Sequence, residues 1–172
     1  MRPLLLVDVD GVLNPLGPLS ADFRRYRCPL EGPLGSEVYT VHLNHRHGTR
    51  LLELALRTGA ELVWATTWEE HANEWIAPRI GLPRLPVIPV GTAHGTTRGE
   101  MFKTPGVADY VAGRPFVWFD DMIHAADDAY LRAHPGVGAF LLVQVDPRQG
   151  LDQRHLDLAA EWLTLSGFSQ GR

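Results

Sequence analysis

Aspartates stand where two apolar runs stop: Asp8 and Asp10 follow Pro3–Val7, and Asp120 and Asp121 follow Pro115–Phe119. Thr66 and Thr67 close a third run that begins at Glu61. If these runs are buried parallel strands, their carboxyl ends converge on one crevice. Four carboxylates facing one another repel strongly unless a cation neutralises them, and hard oxygen donors select Mg²⁺ among the common ions. Bound Mg²⁺ keeps waters and recruits phosphate oxygens, so the set points to phosphoryl transfer. Lys103, expected at a helix start, could pair with both a nucleophilic carboxylate and the transferring oxygens. The Thr66 hydroxyl could donate to the same oxygens, and Thr67 takes its place if the strand register shifts by one residue.

The elements that must position these groups follow from periodicity and punctuation. Pro3–Val7 is a continuous apolar run closed by an Asp and a Gly, the pattern of a strand buried on both faces. Residues 14–41 are rich in Pro and Gly, with one hairpin arm at Glu37–Leu43, and read as an insertion over the strand end. A helix over Gly48–Thr58, stopped by Gly59, leads into a second strand, Glu61–Thr66. Helical text from Trp68 to Ile80 precedes a short third strand, Val87–Val90, and a loop over Gly91–Gly99. Met101–Ala112 is a helix with Pro105 near its start. The strand Pro115–Phe119, a helix over Asp127–His134, a strand at Ala139–Val145 and a closing helix at Leu151–Leu165 complete the chain. This alternation predicts an α/β fold: a three-layer Rossmann-like parallel sheet of about five strands, helices on both faces.

At 172 residues the chain fits a single domain, 1–172, with short insertions at 14–47 and 68–102 and at most a minimal cap. Hydrophobic residues at 45% and charged residues at 21% exclude a mostly disordered chain. A formal net charge of −4 argues against strong sequence-independent nucleic-acid binding and leaves room for a local basic patch. One cysteine, Cys28, cannot form an internal disulfide and fits a reducing cytoplasm. The apolar start is interrupted by carboxylates before it could complete a signal-peptide core or a membrane span.

The order of these signals resembles the haloacid dehalogenase-like (HAD) superfamily: Asp-Val-Asp-Gly-Val at 8–12, a strand ending in Thr66, Lys103 in third place, and Asp120-Asp121. The stretches ELVWATTWEEHAN, FKTPGV and VWFDDM look most like the small HAD domains of Swiss Army Knife RNA repair proteins. The resemblance implies that Asp8 attacks phosphorus to give an aspartyl-phosphate, while Asp10 protonates the leaving oxygen and then activates water. It also implies Mg²⁺ held by Asp8, the Asp10 backbone carbonyl and Asp120, with Asp121 as a second or water-mediated ligand. The expected partner is a phosphorylated substrate such as an RNA or DNA end, with no membrane and no obligatory protein partner. A small-molecule nucleotidase and a non-catalytic phosphate- or RNA-binding module are the alternatives. The family variant with a second Asp four residues on is absent, since His124 stands there.

Several residues carry blander readings. An Asp-Gly pair is a common turn, and Asp121 could cap a helix. His42, His45 and His47 lack a standard zinc spacing and read as solvated loop histidines, one of which could touch substrate. Trp64, Trp68, Trp75 and Trp118 read as core, with Trp68 near enough to a strand end to reach a ligand. Arg24, Arg25 and Arg27 form a basic run: either a solvated surface or a phosphate-recruiting one.

Overall fold

The structure is a computed structural model that describes residues 1–32, 35–91, 99–165 and 167. In chain order the elements are strand β1 (Leu4–Val7), a hairpin of β2 (Arg24–Gly32) and β3 (Gly35–Leu43), helix α1 (Arg46–Thr58) and strand β4 (Glu61–Trp64). A π-helical turn (Ala72–Ile76) and helix α2 (Ala77–Ile80) follow, then helix α3 (Thr104–Val111) and strand β5 (Phe116–Asp120). Helix α4 (Ala125–Ala133), strand β6 (Phe140–Gln144) and helix α5 (Gln153–Leu165) end the fold.

The sheet is parallel throughout, in the order β4-β1-β5-β6. Strand β1 lies inside it, with all four residues buried. Side chains alternate across the sheet. Leu5 and Val7 enter a core shared with α1, α2, α5 and the hairpin, whereas Leu4 and Leu6 enter one shared with α3 and α4. This is the three-layer α/β arrangement that the apolar runs predict. Each large apolar side chain so buried contributes about 1.5–3 kcal/mol, which fixes the strand ends that carry the polar residues. Val7 lies opposite both Trp64 and Phe119, so Asp8, Ala65 and Asp120 come to one level.

Two elements differ from expectation. Val87–Val90 makes a single parallel bridge, Trp64 to Val87, beside β4. Pro86 and Pro89 have no N–H to give, so a ladder cannot extend there and the sheet has four full strands among the described residues. The insertion holds a hairpin of two nine-residue strands, not one arm. Tyr26, Cys28 and Val41 pack its inner face against the core, and Pro29 sits exposed on its outer face. Most of the loop expected over Gly91–Gly99 lies outside the described residues.

The helical stretch before α2 widens into a π turn in which the Ala77 N–H reaches back to the Ala72 carbonyl. Pro78 explains this: it gives no hydrogen bond, and its ring would press on the carbonyl four residues earlier in a regular helix. Helix α1 meets the end of α2 at Gly48, where a Cβ would stand 1.8 Å from the Ile80 carbonyl oxygen. Only glycine permits that approach.

Candidate active site

Strand β1 delivers Asp8 to the crevice floor. One carboxylate oxygen accepts the Val9 N–H at 2.7 Å, and the other accepts Lys103 Nζ at 2.5 Å. The same ammonium donates to Asp120 Oδ2 at 2.8 Å, so it bridges the ends of β1 and β5. Lys103 is 3% exposed and Asp120 0%. Lys103 is also the single lysine among sixteen basic residues. A compact ammonium can sit between two carboxylates as a point charge, whereas a planar guanidinium demands a fork-shaped partner.

Burial governs the electrostatics. It pushes the Asp8 carboxyl up to about 7, although Lys103 pulls it back and Asp120 adds to the rise. Asp120 is raised by burial against the opposing pull of Lys103, and Asp121 by burial and the nearby Asp8. Burial disfavours the Lys103 ammonium, but Asp8 and Asp120 outweigh it and hold its pKa above normal.

Asp8, Asp120 and Asp121 each offer an oxygen, all within 4.8 Å of one another. Three ionised carboxylates against one ammonium leave two negative charges, the deficit that one divalent cation balances. All the donors are hard oxygens, which suits Mg²⁺. A cation there would also oppose the upward shifts and keep the carboxylates ionised. The cluster thus fits the ion that the sequence implies.

Asp121 reaches the cluster because residue 11 is glycine. Gly11 has φ +74°, and a Cβ on it would stand 2.4 Å from the Asp121 Cγ. The Asp-Gly pair is therefore a turn as well as a site element: it clears the space into which a carboxylate leans. Asp121 does not cap helix α4. That role falls to His124, whose ring accepts the Ala126 N–H while Asp127 accepts the His124 N–H.

Asp127 is buried and unforeseen from the sequence. Its Oδ1 accepts the Met101 N–H at 2.7 Å and the Thr104 hydroxyl at 2.6 Å, on either side of Lys103. It thereby ties the lysine's segment to the first turn of α4. The available signal was the His-x-x-Asp spacing of a reciprocal helix cap.

The turn after β4 separates the two threonines. Thr66 is buried, and its hydroxyl lies beside Asp8, favouring the ionised carboxylate; Thr67 is exposed. Asp10 stands apart from the acidic cluster. Its Oδ1 accepts Asn14 Nδ2 at 2.7 Å and its Oδ2 accepts Trp68 Nε1 at 2.8 Å.

The three histidines do not converge. His42 lies in β3, His45 precedes α1, and His47 is buried within α1 against the edge of Phe23. The expectation of solvated loop histidines is thus corrected for His47. Its Nδ1 has no hydrogen-bond partner among the described residues, and burial, reinforced by Arg50, lowers its pKa to about 4. Trp64 and Trp118 are core, and Trp75 is partly buried beneath Arg79. Arg24, Arg25 and Arg27 lie in β2, all exposed, with Arg25 opposite His42 and Arg27 opposite Thr40.

A parallel three-layer sheet with an aspartate, a buried threonine, a lysine and an aspartate pair gathered at its carboxyl end is the arrangement of a HAD-like domain. Over residues 4–156 the chain matches the family described as the HAD domain in Swiss Army Knife RNA repair proteins, and it belongs to that family. The match runs from β1 into the first turn of α5. No curated protein and no solved structure matches the chain. No helix among the described residues is long and apolar enough to cross a membrane.

Proposed function

We propose that the protein is a Mg²⁺-dependent phosphatase that hydrolyses phosphomonoesters through an aspartyl-phosphate on Asp8, within one nearly capless domain. The observation that carries this reading is the Asp8 carboxylate, held at the crevice floor by the chain's single lysine, which also meets Asp120. Asp8, the Asp10 carbonyl, Asp120 and Asp121 would hold Mg²⁺, which would supply positive charge to stabilise the phosphoryl oxygens. In the first step an Asp8 oxygen bonds to phosphorus, the bond from phosphorus to the leaving oxygen breaks, and Asp10 gives that oxygen its proton. In the second, Asp10 takes a proton from water, whose oxygen bonds to phosphorus as the Asp8–phosphorus linkage breaks. Lys103 and the Thr66 hydroxyl hold the transferring oxygens, and the exposed Thr67 meets the rest of the substrate.

The favoured substrate is a nucleic-acid end. Strand β2 places Arg25 and Arg27 on one exposed face of the hairpin, two residues or about 7 Å apart. The hairpin is rooted beside Asp10, since the His42 N–H donates to Asn14 Oδ1 at 2.8 Å. Cationic side chains leading away from a phosphate site suit a chain of further phosphates. A lone cysteine fits a reducing cytoplasm.

Turnover of p-nitrophenyl phosphate and of 5′- and 3′-phosphorylated oligonucleotides with Mg²⁺ tests the reading. Asp8→Asn should lower it by roughly four orders of magnitude or more. Unchanged turnover in that variant sinks the assignment, and equal rates on mononucleotides would favour a nucleotidase.

A further inference from the structure

Each carboxylate oxygen of Asp10 accepts one uncharged side-chain donor. Both donors are buried side chains, and both touch strand β3. Asn14 accepts the His42 N–H through its Oδ1 while giving its Nδ2 to Asp10. The Trp68 ring meets Tyr39 edge-on, with centroids 5.8 Å apart, while its Nε1 reaches Asp10 from 58 residues away.

The backbone is bent to bring Trp68 there. Its N–H donates to Thr66 Oγ1, and the next residue, Glu69, sits in the left-handed region at φ +45°. A non-glycine residue holds that conformation only where its surroundings impose it, and such residues gather at functional sites. A tryptophan serving only as core needs nothing beyond some acceptor for its N–H. Here the acceptor is a half-exposed carboxylate at the strand end.

We infer that Trp68 and Asn14 are positioning residues for Asp10: together they fix the plane of its carboxyl group, and β3 of the hairpin braces both. The inference rests on the reading of Asp10 as the general acid and base. A carboxyl group that must first face the leaving oxygen and then the attacking water has to keep one orientation through both steps. Losing either donor frees rotation about the Cβ–Cγ bond. Small misplacements of this kind cost large factors in rate.

The leaving group supplies the test, because a good one departs without a proton and a poor one does not. A series of aryl phosphates, from p-nitrophenyl to the least acidic phenols, is compared in the wild type, Trp68→Phe and Asn14→Ala. The expected result is a steeper fall of log kcat/KM with leaving-group pKa in both variants, the least acidic phenol losing on the order of tenfold more than p-nitrophenyl. A uniform loss across the series, or none, overturns the inference. Mg²⁺-dependent uptake of beryllium fluoride, followed by fluorine NMR, should persist in both variants. Its disappearance in both would mean that the two side chains merely hold the fold, and the inference falls. Wild-type protein that neither takes up beryllium fluoride nor turns over any aryl phosphate removes the phosphatase reading itself, and this inference with it.

Discussion

The crevice floor and the hairpin beside it handle charge in opposite ways. On the floor, Asp8 and Asp120 share a buried lysine, and burial keeps the attraction from being screened. On the hairpin, Arg24, Arg25 and Arg27 are exposed and meet no carboxylate among the described residues, although Arg46, Arg84, Arg114, Arg132 and Arg154 each do elsewhere. A buried charge without a partner is very costly, so the floor pairs Asp8 and Asp120 with Lys103 and has its remaining negative charge to offer a cation. An exposed one costs little, which leaves the hairpin free to keep its cations for a ligand. On the proposed reading the two regions divide the work: one would hold a single phosphoryl group, and the other would meet what is attached to it.

The contrast breaks most violently at Lys103. Lys103→Met strands two buried carboxylates and should cost about 3–5 kcal/mol in chemical denaturation, along with turnover. A cost under about 1 kcal/mol would mean that the floor is wetter than its burial implies.

Near the root of the hairpin, His47 offers a second probe. Its folded pKa, about 4, lies below the ordinary 6.5, so the unfolded chain binds more protons between those values. The stability present above pH 6.5 is therefore lost as pH falls through that window, by about 3 kcal/mol at most. His47→Gln should flatten this part of the urea stability profile; an unchanged profile would show the imidazole to be solvated.

The hairpin's own share is smaller. The double variant Arg25→Ala, Arg27→Ala should raise KM for phosphorylated oligonucleotides and make its salt dependence shallower. The log–log slope should fall by about 0.7 for each single-strand phosphate that the arginines no longer neutralise. The effect on p-nitrophenyl phosphate should be the lesser one. Equal effects on both substrates would move these arginines into the crevice chemistry and blur the division.

Smallest of all, Glu69→Gly relieves a left-handed backbone and should stabilise the fold by up to about 1 kcal/mol. Destabilisation would mean that the Glu69 side chain holds the turn.

Much of the floor is legible in the sequence because it depends on strand ends. Apolar runs closed by Asp8, Thr66 and Asp120 state where the strands stop, and a parallel sheet brings such ends together. Asn14 and Trp68 are not legible as partners of Asp10. Their bonds depend on where a hairpin and a bent turn come to rest, and no spacing encodes that. His47 escapes the sequence pattern because α1 starts at Arg46, two residues before Gly48, which puts the imidazole one helical turn from Leu51 and two from Leu54 on the buried face. Strand β2 hides behind its proline and its arginines, although Tyr26, Cys28 and Leu30 keep the period of two. The third strand fails for the converse reason: Val87–Val90 is apolar enough, but Pro89 within it and Pro86 before it withhold the hydrogen bonds.

The solitary lysine has a practical consequence. Growth on lysine labelled with ¹³C at the ε carbon would mark one side chain in this 172-residue chain, Lys103. A single NMR resonance would follow, from the centre of the site. It should move when an ion or a phosphate analogue arrives, giving a direct view of occupancy without turnover.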